Sequence, residues 1–304
     1  MKITDILHEN NIENVEQYIE KLRSHLKQNC SQIYNKFYNN SDVYLYHSPD
    51  YDSTVELKNK LFKTFPNKKR DMGREEIPPY YHNKMDSYFK DNFGINFRSN
   101  SLFTVAKKCN IKDNNPVVFP NDGFQLIASE SVKDPFFNIK HCLDSEYVQN
   151  TIFDFLANNT EQEFRTEKID FMTGLLFNLL NRRGFLHSED YPNNVEEFKK
   201  AVEHNSKVSL GIELEDISIS KYETLLNNIV KHCDSVIDEI MEGYNYVKNK
   251  TTLKKYAKEP DSRPEIMVYS SHYTLVNLGD IYNYMIDNGY KNPKPKEIMD
   301  FLFN

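Results

Sequence analysis

Two hydrophobic periods alternate along the chain, and the places where one gives way to the other divide it. Over residues 13–38, Val15, Tyr18, Ile19, Leu22, Leu26, Ile33 and Phe37 recur at three- and four-residue steps with charge opposite, which predicts one amphipathic helix. From Asp42 the apolar residues cluster in short strand-like runs. Val43-Tyr44-Leu45-Tyr46 leads into His47-Ser48-Pro49 as a strand that stops at a turn, and Ser53-Thr54-Val55-Glu56 forms a capping box for a helix through about Phe62. Residues 66–78 carry mixed charge and end in Pro78-Pro79, an exposed loop. Tyr80 to Asn92 reads as a helix with Met85, Tyr88, Phe89 and Phe93 on one side, stopped by Gly94. Phe97 to Val105 reads as a strand. Val117-Val118-Phe119-Pro120 and Phe124-Gln125-Leu126-Ile127-Ala128, joined by Asn121-Asp122-Gly123, read as a hairpin.

After about residue 140 the helical period takes over. Residues 144–158 and 160–183 are predicted helices, the second ending at Arg182-Arg183-Gly184, and Asn194 to Glu203 is a third. The strongest stripe starts at the box Ser220-Lys221-Tyr222-Glu223 and runs through Leu225, Leu226, Ile229, Val230, Cys233, Val236, Ile237, Ile240 and Met241 to Tyr244. Strands return with Glu265-Ile266-Met267-Val268-Tyr269 and Tyr273-Thr274-Leu275-Val276, followed by helices near Leu278–Ile286 and Pro295–Phe303. The fold class is therefore α+β with a sheet split in sequence: an N-terminal helical segment (1–40), a first part of the core (41–140), a helical insertion (141–260) and a second part of the core (261–304).

Composition narrows the function. With 304 residues the chain can bury a sizeable core, and 13% aromatic content supports one despite a mean hydropathy of −0.70. A net charge of −7 argues against general nucleic-acid binding. The four cysteines, Cys30, Cys109, Cys142 and Cys233, form no CxxC pair, and His141-Cys142 and His232-Cys233 do not match zinc spacing, so they read as buried thiols of a reducing compartment. No apolar run approaches the ~20 residues of a membrane span and the N-terminus lacks a signal peptide, so an intracellular protein is expected.

The candidate chemistry sits at strand ends. Glu265 opens a strand directly after Pro264, and a carboxylate fixed there can meet a developing cation, although strand-end carboxylates are also common solvated ends. His47 closes an early strand, where both structural and functional histidines occur. His272-Tyr273-Thr274 would suit a two-histidine phosphoesterase, but as a single strand motif it carries little weight.

Tyr46-His47-Ser48, Ser101-Leu102-Phe103-Thr104 and Pro264-Glu265-Ile266-Met267-Val268-Tyr269, in that order, resemble the early, middle and late motif strands of the ADP-ribosyltransferase fold. The stretch containing Arg74, His82, Asp86, Phe89, Phe93-Gly94, Arg98-Ser99 and Phe119-Pro120 is similar to phage-encoded proteins of this type, and the Asn-, Lys- and Tyr-rich composition suits an AT-rich phage genome. The matching parts cover roughly two-fifths of the chain, and their order carries more weight than any one motif. The resemblance implies NAD as substrate, Glu265 as the catalytic carboxylate, and His47, Ser48, Ser101, Phe103, Thr104 and Tyr269 around the cofactor. It implies transfer of ADP-ribose to a host macromolecule in the host cytoplasm or from a virion. The alternative is an inactive member of the fold serving as a phage structural, internal virion or host-factor-binding protein. Departures are Ser48 in place of the family glycine, Arg263 two residues before Glu265, and Cys109-Asn110-Ile111 in place of an Ala-x-x-Tyr-Gly segment.

Overall fold

The computed structural model describes residues 15–47, 61–69, 79–111, 115–132, 135, 138, 141–142, 145–159, 195–210, 217–257 and 264–304. Ser48, Arg74, Arg263, the capping box at 53–56 and the expected helix 160–183 lie outside them. In chain order the main helices are α1 (Val15–Asn29), α2 (Pro79–Phe93), α3 (Glu146–Ala157), α4 (Val195–Leu210), α5 (Ile219–Glu242), α6 (Lys250–Tyr256), α7 (Leu278–Asp287) and α8 (Pro295–Phe303). The strands are β1 (Val43–Tyr46), β2 (Phe62–Pro66), β3 (Leu102–Lys108), β4 (Val117–Pro120), β5 (Gln125–Ser129), β6 (Tyr244–Tyr246), β7 (Glu265–Tyr269) and β8 (His272–Val276). The protein is thus α+β, as its pattern implies.

The chain forms two compact units, one of residues 1–69, 100–133 and 243–304, the other of 70–99 and 134–242. These bounds depart from the expected insertion of 141–260 in two ways. Tyr244–Tyr246 pairs with β5, and Leu253 and Tyr256 are buried, which ties 243–257 to the sheet. In the helical unit, the Tyr80 hydroxyl donates to Asp234 at 3.0 Å and the Lys84 ammonium meets Asp234 at 3.0 Å and Asp238 at 3.1 Å, which ties α2 to α5.

In the sheet unit the eight described strands form one sheet in the order β2-β8-β4-β1-β3-β7-β5-β6, and their pairings are antiparallel. The expected hairpin of β4 with β5 does not form: β4 lies between β8 and β1, and β5 between β7 and β6. The turn between them is engaged elsewhere. The Asp122 carboxylate accepts from the Ser31 hydroxyl at 2.8 Å and the Gln32 amide at 2.7 Å, and Gly123, at φ +85°, donates to the Gln32 side chain. That same contact interrupts the expected helix of 13–38, which ends at Asn29 and restarts as a turn at Ser31–Ile33 and a wider π turn at Tyr34–Tyr38.

The π turn delivers Tyr38 to the middle of the sheet. β1 and β4 are paired only at Tyr46 and Val117. Where the next rung would join Leu45 to Val118, the fully buried Tyr38 hydroxyl stands instead, donating to the Val118 carbonyl at 2.7 Å and accepting from the Leu45 amide at 3.2 Å. The sheet splits there, and its two open backbone groups are satisfied by one side chain. A similar hydroxyl holds the β7–β8 corner: Tyr273 donates to the Val268 carbonyl at 2.7 Å and accepts from the Ser270 amide at 3.1 Å.

Elsewhere the local reading needs smaller changes. Phe62 begins an edge strand rather than ending a helix, and Phe97–Asn100 is a helical turn before β3, its Ser99 amide donating to Asp86 at 3.1 Å. α5 starts one residue before Ser220, and Tyr244 belongs to β6. α2 ends at Gly94, whose φ of +78° only glycine adopts without strain. α8 spans Pro295–Phe303 as expected.

Candidate functional site

The three strands that carry the candidate motifs are neighbours in the sheet, in the order β1, β3, β7. Register sets their rows. Tyr46 faces Val105, and Val105 faces Glu265, so one line crosses all three strands. Two inter-strand spacings put the Tyr46 and Glu265 backbones roughly 10 Å apart.

Pro264 precedes β7, so the strand opens at Glu265, where a missing amide does no harm. The Glu265 side chain is 6% exposed. Paired residues of an antiparallel sheet share a face, so Glu265 lies on the face of Val105, Phe103 and Met267, and Tyr269, two residues on, keeps to it. Phe103 and Met267 are buried and Tyr269 half-buried.

His47 stands just past β1 at the split. Its amide donates to the Pro116 carbonyl at 3.2 Å, on the β4 side, and its ring Nδ1 meets the Phe103 carbonyl of β3 at 3.2 Å. A carbonyl only accepts, so Nδ1 carries a proton. The imidazole is thereby fixed to the strand beside the one that carries Glu265.

Thr104 takes a different position. It pairs with Ile266 on the face that Leu102, Ala106 and Val268 turn to the hydrophobic core, and its hydroxyl donates to the Ile266 carbonyl at 3.0 Å. It therefore does not share the face of Glu265. Ser101 precedes β3 and is 6% exposed, its hydroxyl buried without a hydrogen-bond partner among the described residues. The structure thus brings His47, Ser101, Phe103, Glu265 and Tyr269 to adjoining strands and turns Thr104 to the core; Ser48 is outside the described residues.

Sequence reasoning passed over two residues here. Gln125 lies opposite Tyr269 in the β5–β7 register and also lines a cavity of about 420 Å³ with Lys36, Phe124, Tyr246 and Lys248. Lys107, on β3, is 7% exposed with its ammonium 4.4 Å from the Tyr46 ring centroid, a cation–π contact next to the row that ends at Glu265. Neither was given a role at the site. A pairing register would have found both.

A serine, a histidine and an aspartate also gather in the helical unit, but not as a relay. His82 Nε2 meets both the Ser99 hydroxyl, at 2.9 Å, and Asp86 Oδ2, at 3.5 Å. A relay needs the carboxylate and the hydroxyl on opposite nitrogens, so this cluster joins α2 to the turn at Phe97–Asn100. Among the described residues no group of three or more His, Cys, Asp or Glu side chains could hold a metal ion, and no helix is long and apolar enough to cross a membrane.

No protein-family model, curated protein or solved structure matches the chain.

Proposed function

We propose that the chain is an ADP-ribosyltransferase-like phage protein that breaks the nicotinamide–ribose bond of NAD and passes ADP-ribose to a host macromolecule. What carries this reading is the adjacency of β1, β3 and β7: motifs around residues 47, 101–104 and 265 come from distant parts of the chain and occupy three neighbouring strands. The reaction passes through a ribosyl cation, which a fixed carboxylate stabilises more than it stabilises bound NAD. Glu265 supplies that charge from a rigid strand start. His47, oriented by the Phe103 carbonyl, hydrogen-bonds the adenosine-side ribose. Phe103 and Tyr269, on the face of Glu265, flank the nicotinamide.

The test is nicotinamide release from NAD by the wild type and by Glu265→Gln, with and without host lysate, modified products being read by mass. Release that falls by about 10²–10³ in the variant is expected, the usual scale for losing one electrostatic stabiliser of a transition state. A wild type that neither releases nicotinamide nor binds NAD in calorimetry would remove the enzymatic reading.

A second reading has an observation of its own. Glu265 and His47 are 6% and 2% exposed, and the Thr104 hydroxyl is engaged by backbone. That closure favours an inactive member of the fold, a phage structural or host-factor-binding protein, and the same calorimetry separates it from the first.

A further inference from the structure

In the helical unit two thiols meet across a packing seam. Cys142 lies in helical backbone shortly before α3, and Cys233 lies in the buried stripe of α5. They are 91 residues apart in sequence, yet their sulfurs stand 2.8 Å from each other. That is closer than the roughly 3.5–4.0 Å at which unbonded heavy atoms rest, and longer than the ~2.05 Å of a disulfide. The same seam is held by the Ser145 hydroxyl, 3.3 Å from His232 Nε2, and by the Tyr147 ring stacked on His232 at 4.3 Å. Closing the bond requires sulfur movement of less than an ångström within contacts that already exist.

We propose that Cys142 and Cys233 are a redox modification site, closing to a disulfide when a peroxide reaches them and reopening with a dithiol reductant. The two sulfurs divide the work. The Cys142 thiol donates to Cys233, and that contact holds Cys233 below the ordinary thiol range against the opposing effect of burial, with Tyr81 adding to it. The same contact, reinforced by burial, pushes Cys142 up. Cys233 is therefore the nucleophile and Cys142 the resolving thiol. By contrast Cys30, buried and away from any other thiol partner, is pushed up to about 12 by burial and stays protonated.

The Cys233 thiolate attacks one peroxide oxygen and the O–O bond breaks. This gives a Cys233 sulfenic acid and a hydroxide, which takes the proton Cys233 lost and leaves as water. Cys142 then attacks the sulfenic sulfur, the S–O bond breaks, and the hydroxyl leaves as a second water with the Cys142 proton. Two thiols lose two electrons and one peroxide gains them. Both cysteines are at most 5% exposed, so a peroxide is the oxidant small enough to fit.

The experiment treats the full chain with hydrogen peroxide, alkylates remaining thiols after denaturation, and maps the cysteines by mass spectrometry. Expected are a loss of two hydrogens, a Cys142–Cys233 cross-linked peptide that dithiothreitol reverses, alkylated Cys30 and Cys109, and a rise in Tm of the oxidised form. In Cys142→Ser, Cys233 should instead be trapped as a sulfenic acid by dimedone. Four alkylated cysteines after peroxide, or a cross-link joining any other pair, would overturn the proposal, and the wild-type thiol map decides it even if the variant fails to fold.

Discussion

The sheet unit and the helical unit solve the burial of polar groups differently. In the sheet, buried hydroxyls reach backbone: Tyr38 to Val118 and Leu45, Tyr273 to Val268 and Ser270, Thr104 to Ile266. In the helical unit, side chains reach one another: Tyr80 and Lys84 to Asp234, His82 to Ser99 and Asp86, Cys142 to Cys233. A phenol or alcohol bonded to an amide does not titrate near neutral pH, and it fixes where strands diverge. Carboxylates, imidazoles and thiols do respond to protons and oxidants. These sheet contacts are therefore indifferent to pH and oxidants, while the helical ones can be altered by them, although Asp122 and His47 bring titratable groups to the sheet unit as well.

The largest effect should come from Tyr38→Phe. It keeps the ring and strands two buried backbone groups, each costing about 1–3 kcal/mol. A loss of about 3 kcal/mol in urea unfolding is expected, and a loss under about 0.5 kcal/mol would show that the split in the sheet does not depend on the hydroxyl.

Asp86 tests the other side. Burial raises its pKa, but hydrogen bonds from His82 and Ser99 outweigh this and the net shift is downward. A carboxyl with a folded pKa below its unfolded value contributes stability that is complete above the ordinary 3.8 and is lost as the pH falls through the folded value. Asp86→Asn should cost about 2 kcal/mol at pH 7, the scale of a charged hydrogen bond. The difference from wild type should shrink toward pH 2. A difference that stays constant over that range would assign the loss to packing.

The smallest effect should come from Asp42→Ala. Asp42 meets Lys254 at 3.0 Å with both side chains about half exposed, so it belongs to neither class of buried contact. Less than about 0.5 kcal/mol is expected from urea unfolding at low salt. A larger loss would mean that surface charge, too, holds the sheet unit.

Several helices, α2 and α8 among them, were legible because their information is local. Gly94 and the α8 bounds could be read from a window of a dozen residues. Partners of strands could not. Asn121-Asp122-Gly123 has the look of a hairpin turn, but the Asp122 carboxylate serves Ser31 and Gln32, some ninety residues earlier. Phe97–Asn100 is expected to open the strand that runs to Val105, yet the Ser99 amide donates to the Asp86 carboxylate and the four residues form a helical turn. In the candidate site Glu265 and His47 were visible as strand ends. That Thr104 turns to the core follows only from its register with Ile266, and the meeting of Cys142 with Cys233 has no local signal at all.

The order of strands carries a consequence for how the molecule is made. Among the described strands no neighbouring pair is a hairpin: β5 and β6 are consecutive but flank the helical segments, and every other pair skips strands. Loop closure must therefore precede every rung, which slows folding. β1 can pair with β3 and β4 as they emerge, but a ribosome emits α2 through α5 before β7 and β8, so β3 and β5 wait for β7, and β2 and β4 for β8, until residue 276 is out. During synthesis they are open edges, dependent on late arrival of the segment that bears Glu265 to close them.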